Sequence, residues 1–211
     1  MKIILTALSK SLVDAWIKFC GDLDFITIHH GSILDVECDA VVSPANSYGF
    51  MDGGIDEIYL NYFGPDIQMR VRRQILEYHF GEILVGQADV VETGNEKIPF
   101  LIFAPTMRVP MALSESVNPY LAARAIFLLL KNGNFLSGKY KGNSIGDKIK
   151  SIAIPGLGTG VGRVSSNTCA HQVRQAINDI ILNGYKMPQS WAEASERHQL
   201  LYTNKLRRLQ Y

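Results

Sequence analysis

The sequence predicts an α/β layered fold, a mixed sheet with helices on both faces. Three observations lead there. Hydrophobic residues switch repeatedly between strand-like and helix-like spacing along the chain. The strand-like runs are too apolar for a sheet with one wet face. Two of those runs lead into glycine-rich segments that precede helical ones, the place where open α/β sheets bind ligands.

The elements follow in order. Residues 3–8 read as a strand that adds an edge to the sheet. Leu12, Val13, Trp16, Ile17 and Cys20 recur at helical spacing. Residues 25–30 alternate again, and Ala40, Val41 and Val42 form a short apolar strand. Ile55, Ile58, Tyr59 and Tyr62 make one helical face, stopped by Gly64-Pro65, and Ile67, Val71, Ile75 and Tyr78 make the next. Residues 87–92 and 100–105 read as strands. Asn118-Pro119 reads as a helix start, Asn at the cap and Pro at the first position, opening an apolar central helix. The glycine-, asparagine- and lysine-rich residues 131–150 read as a flexible loop or insertion. Residues 151–155 are a further strand. Residues 167–182 form a helix with Val173, Ala176, Ile177, Ile180 and Ile181 toward the core. The tail after Gly184, with Trp191 and the basic end Lys205, Arg207 and Arg208, reads as an amphipathic helix.

Composition narrows the function. The chain has 211 residues, 47% hydrophobic and 19% charged, enough for a substantial core without metal or disulfide staples. Cys20, Cys38 and Cys169 lie far apart and form no paired motif, so a reducing cytosol is expected and no metal site is assigned. No run approaches a membrane span, and the first apolar run is too short for a signal peptide. The net charge is +1, and residues 19–69 hold no Lys or Arg but nine acids, a poor platform for nucleic acid.

Two loops carry the chemistry. The first, residues 43–56, leaves an apolar strand and enters a helix. Its Gly53-Gly54 lets a ligand approach the backbone, and Asn46 offers a donor and an acceptor suited to ribose hydroxyls or, alternatively, to its own loop. The second holds Gly156, Gly158, Gly160 and Gly162 at every second position between a strand and a helix, which fits an anion cradle of backbone N–H groups. It satisfies neither the dinucleotide-binding glycine pattern nor the Walker loop. Arg163 either pairs with the anion or sits in solvent. Cys169 opens a helix, where a thiolate would be favoured, but the preferred reading is a buried small hydrophobe. His29 and His30 read as packing and surface residues.

Taken together, Asp39-Ala40-Val41-Val42-Ser43-Pro44-Ala45-Asn46, the Gly53-Gly54-Ile55-Asp56 segment, and Ser151 to Pro155 followed by Gly158-Thr159-Gly160-Val161 resemble the macro domain pattern. The resemblance covers about residues 24–184 and implies a three-layer α/β/α fold there; the βα extension over 1–22 and the helical tail over 185–211 lie outside it, and all are expected in one domain. It implies ADP-ribose or an ADP-ribosylated substrate as partner, with nucleic acid only as an ADP-ribosylated target and no cofactor. Ligand contacts fall on Ser32, Ile33, Asn46, Gly53, Gly54, Ile55, Gly156, Gly158, Thr159, Gly160, Val161, Gly162 and Arg163. Asp56 is the family-position candidate for placing water, with Asp52 its rival and Asn46 orienting the proximal ribose. The implied activity is ADP-ribosyl hydrolysis of the glycohydrolase, phosphatase or deacetylase type; a sensor without turnover, or an interaction protein using the basic tail, are the alternatives. The chain departs from the family where Ser32 replaces an adenine-binding Asp, Met51-Asp52 replace glycines and narrow the ribose approach, and Gly162 replaces an aromatic.

Overall fold

The computed structural model describes residues 1–207, so Arg208, expected in the basic tail, lies outside the described residues. In chain order the elements are β1 (Lys2–Ala7), α1 (Lys10–Cys20), β2 (Ile26–His30), β3 (Ala40–Ser43), α2 (Gly54–Phe63), α3 (Asp66–Tyr78), β4 (Asp89–Glu92), β5 (Phe100–Phe103), α4 (Asn118–Asn132), α5 (Ile145–Lys148), β6 (Ser151–Ile154), α6 (Ser166–Ala176) and α7 (Trp191–Leu200). The strands form one six-stranded sheet in the order β2-β1-β6-β3-β5-β4. All neighbours are parallel except β4, which pairs antiparallel with β5 at the edge.

Two cores sandwich this sheet, giving the three-layer α/β/α architecture. Ile3, Leu5, Ala40, Val42, Ile152 and Ile154 point to one face and meet Leu12, Val13 and Trp16 of α1 with the buried sides of α4 and α6. Their alternates Ile4, Val41 and Ala153 point to the other face, under Tyr59 of α2 and Ile67, Val71 and Ile75 of α3. Burial on both faces is why these strands read as continuous apolar runs rather than as alternating ones.

Several expectations change. Residues 3–8 were expected at an edge, but β1 lies inside the sheet, with Ile3 paired to both Ile26 and Ile152. The edge on this side is β2, where Thr27 and His30 are exposed. Asn118 does not cap α4: Val117 holds that position, and Asn118 Nδ2 donates to the Thr106 carbonyl at 2.8 Å. Residues 131–150 are not a loose link, because Phe135, Ile145 and Ile149 are buried in the first core and α5 forms within the segment. The helix expected over 167–182 is α6 capped by Ser165, whose Oγ accepts from Thr168 N at 3.1 Å, continued by a π-helical turn over Ile177–Ile181. In the tail, α7 leaves Trp191 80% exposed while Gln199 is buried.

Candidate functional site

A cavity of about 420 Å³ runs along the C-terminal ends of the parallel strands, in the size range of small-molecule sites. Ser32 and Ile33, just after β2, line one end, and Thr106, Met107 and Pro110, after β5, line the other. Between them lie the glycine loop after β6 and the loop from β3 into α2. Neighbouring strands are about 4.8 Å apart, so the three steps from β2 through β1 and β6 to β3 cover about 14 Å.

The glycine loop is folded by its own backbone. Arg163 N donates to the Gly160 carbonyl at 3.0 Å and Val164 N to the Gly158 carbonyl at 3.0 Å. Gly158 has φ +69°, a left-handed conformation that only glycine adopts without strain. Among the described residues, no protein acceptor faces the N–H groups of residues 158–162, and these residues line the cavity. Gly162 is fixed by packing, since a Cβ there would stand 2.5 Å from the Gly158 carbonyl oxygen. Gly162→Ala is therefore expected to lower stability by about 1–3 kcal/mol, measurable by denaturant unfolding.

On the facing loop, Gly53 caps α2 without a side-chain bond and Gly54 has φ +61°. The first-turn N–H groups of α2 therefore reach the cavity beside the glycine loop. Among the described residues, no Lys, Arg or His lines the cavity. An anion bound here is met by neutral donors, the backbone N–H groups and hydroxyls such as that of Thr159, rather than by a cationic side chain.

Asp56, on the first turn of α2, is 8% exposed and lines the cavity. Ser43 Oγ donates to its Oδ1 at 2.5 Å. Burial pushes the Asp56 carboxyl up to about 6, against a smaller lowering by the Ser43 hydroxyl. Tyr59 packs below it and donates its hydroxyl to the Val42 carbonyl at 2.9 Å. Asp52 also lines the cavity but is exposed.

Several sequence-predicted residues behave otherwise than expected. Asn46 lines the cavity, yet its Nδ2 donates to the Phe50 carbonyl at 2.8 Å and its Oδ1 accepts from Tyr48 N at 3.1 Å and Phe50 N at 3.3 Å. Its amide ties the loop, the alternative kept open by the sequence. Ser32 Oγ accepts from Leu34 N at 3.2 Å, capping the 3₁₀ turn Ile33–Asp35. Met51 does not narrow the cavity, because it is 1% exposed in the second core; Phe50 takes the lining position. Arg163 is exposed, left-handed at φ +56° and off the cavity lining, since the turn that follows Gly162 swings it outward. Cys169 is buried, in keeping with the small-hydrophobe reading, and burial pushes its thiol up to about 12. His30 faces the Leu8 carbonyl at 3.2 Å, and His29 packs beside Gly31.

Sequence reasoning missed the contribution of the N-terminal βα unit. Thr6, Leu8, Ser9 and Leu12 line the cavity beside the glycine loop, because β1 sits next to β6. No local signal in the first residues announces that neighbour. Outside the cavity, His79 Nε2 lies 2.9 Å from the buried Asp89 carboxylate, itself bonded by Gln74 at 3.0 Å. Among the described residues, no group of three His, Cys, Asp or Glu side chains gathers that could hold a metal ion, and no helix is long and apolar enough to cross a membrane.

The family model described as Macro domain matches residues 42–173. An uncharacterised protein of Aquifex aeolicus (strain VF5) is 33% identical over 152 residues, covering 72% of this chain and 80% of that protein. Another, from Aeropyrum pernix, is 28% identical over 159 residues, covering 75% and 72%. Among solved structures, the macrodomain of Mycobacterium tuberculosis DarG superposes with a TM-score of 0.56 at 21% identity, covering 71% of this chain and 87% of that one. A mutant macrodomain of Oceanobacillus iheyensis, solved with ADPR, gives 0.58 at 17% identity, covering 82% and 86%. The matched stretch holds the end of β3 with its Asn46 loop and β6 with its glycine loop, so sequence and fold agree: the chain belongs to the macro domain family.

Proposed function

We propose that the chain binds ADP-ribose across the C-terminal ends of its parallel strands and hydrolyses an ADP-ribosyl linkage. The observation that carries this reading is the linear order of the lining. Ser32 and Ile33 stand at one end, unpartnered N–H groups of the glycine loop in the middle, and Asn46, Phe50 and the two acids toward the other. A nucleoside, a diphosphate and a second sugar follow one another in the same order in ADP-ribose. The middle of the cavity offers a diphosphate neutral N–H donors and the N-terminal end of α2.

For turnover, a water oxygen bonds to the anomeric carbon of the terminal ribose as the bond from that carbon to the acceptor breaks. Asp56 takes the water proton on its carboxylate, and the departing acceptor keeps the bonding pair and is protonated from solvent. One carboxylate oxygen is held by Ser43 and the other remains to meet the water. The negative carboxylate also favours the positive charge that develops on the sugar. Burial favours the second reading, binding without turnover, because Asp56 is only 8% exposed.

Calorimetric titration with ADP-ribose tests the binding. A saturable heat absent with adenosine alone is the expected result; no heat at millimolar ligand overturns the reading. Release of free ADP-ribose from an ADP-ribosylated peptide or oligonucleotide then separates hydrolase from sensor.

A further inference from the structure

The loop between β3 and α2 is built to hold one side chain that stays in the open. Both polar atoms of the Asn46 amide close on the Phe50 backbone, Nδ2 on its carbonyl at 2.8 Å and Oδ1 on its N–H at 3.3 Å. From α3, the Arg72 guanidinium lies 4.2 Å from the centre of the Phe50 ring, and its Nη1 donates to the Tyr48 carbonyl at 3.3 Å. The neighbouring cation, Arg108, is occupied by Glu82 at 2.6 and 3.1 Å. Phe50 nonetheless remains 47% exposed and lines the cavity.

Core packing does not explain this ring, since Met51, its neighbour in sequence, is the residue that enters the core. Loop closure does not explain it either, because the Asn46 bonds go to backbone atoms that any residue supplies. What Phe50 adds is a rigid apolar face at the cavity, fixed by a cation and an amide. The face of an aromatic ring is electron-rich, so it suits the weakly positive C–H face of a sugar.

We propose that Phe50 is the residue that packs against the terminal sugar, and that Asn46 acts on the ligand through Phe50 as a positioning residue. The inference rests on the ADP-ribose reading above and names the residue that would recognise its sugar end. ADP, which has the same nucleoside and diphosphate without the terminal sugar, does not reach Phe50.

Titration calorimetry with ADP-ribose and with ADP tests it, with thermal unfolding reporting that each variant folds. Phe50→Ala is expected to weaken ADP-ribose about tenfold and to leave ADP within about twofold. Phe50→Tyr keeps the ring and restores ADP-ribose affinity. Asn46→Ala is expected to match Phe50→Ala, and the double variant to lose no more than either single one. Arg72→Ala, which frees the ring but leaves the Asn46 amide in place, gives a partial loss and serves if Asn46→Ala does not fold. Phe50→Ala binding ADP-ribose like wild type overturns the proposal, and additive losses in the double variant overturn the role given to Asn46. Wild-type protein that binds neither nucleotide overturns the ADP-ribose reading and this inference with it.

Discussion

Gly160→Glu is expected to leave the protein folded and to abolish ADP-ribose binding. A Cβ at Gly160 meets no heavy atom within 4 Å, and its backbone does not require a positive φ, so the substitution costs the fold little. Gly160 lines the cavity, and a carboxylate added there is expected beside the loop N–H groups, which have no protein acceptor among the described residues. There it competes for those donors and repels a diphosphate where, among the described residues, no cationic side chain lines the wall to screen it. The expected loss is at least about 100-fold in affinity, roughly 2.7 kcal/mol. The contrast with Gly162→Ala is informative: there a single methyl group damages stability, whereas at Gly160 a larger charged group damages only binding. Unchanged ADP-ribose affinity in a folded Gly160→Glu protein would remove the glycine loop from the site.

The second large effect falls on Asp56, where stability and turnover should move in opposite directions. Burial raises its carboxyl from an ordinary 3.8 to about 6. The native state therefore holds the proton more tightly than the unfolded chain. Below about pH 4 the carboxyl is neutral in both states and costs the fold no ionisation; stability then falls as pH rises from about 4 through 6 and the buried group has to ionise. At neutral pH the charged, buried form costs up to about 3 kcal/mol on this shift. Asp56→Asn removes that cost, so it should raise the melting temperature at pH 7 and flatten the dependence of stability on pH between 4 and 6. The same substitution removes the proposed base, so hydrolysis should fall by about 10²-fold or more while ADP-ribose affinity stays within a few-fold. Wild-type turnover should rise as pH passes through about 6, because the carboxylate is the active form. Asp52→Ala, at an exposed position, is the comparison. Full turnover in both variants would mean that neither acid is catalytic.

The sequence by itself determined the layered fold. Strands buried on both faces must be apolar at successive positions, as Ala40, Val41 and Val42 are, and helices packed on one face must repeat, as Leu12, Val13 and Trp16 do. Both patterns are local, so they survive in the chain without knowledge of neighbours. The loops around Gly53-Gly54 and Gly156 to Gly162 were legible for a similar reason: glycine marks backbone positions that a side chain would block or strain, as at Gly158 and Gly162. Tertiary structure decided what depends on partners far along the chain. It set β1 inside the sheet and brought Thr6, Ser9 and Leu12 to the cavity. It turned Asn46 onto Phe50 and Arg163 away from the lining, sent Asn118 to Thr106, and packed residues 131–150 onto the first core. A polar side chain bonds whichever partner the fold brings within about 3 Å, and a strand takes whichever neighbours the sheet order gives it. Neither is written in the spacing of residues along the chain.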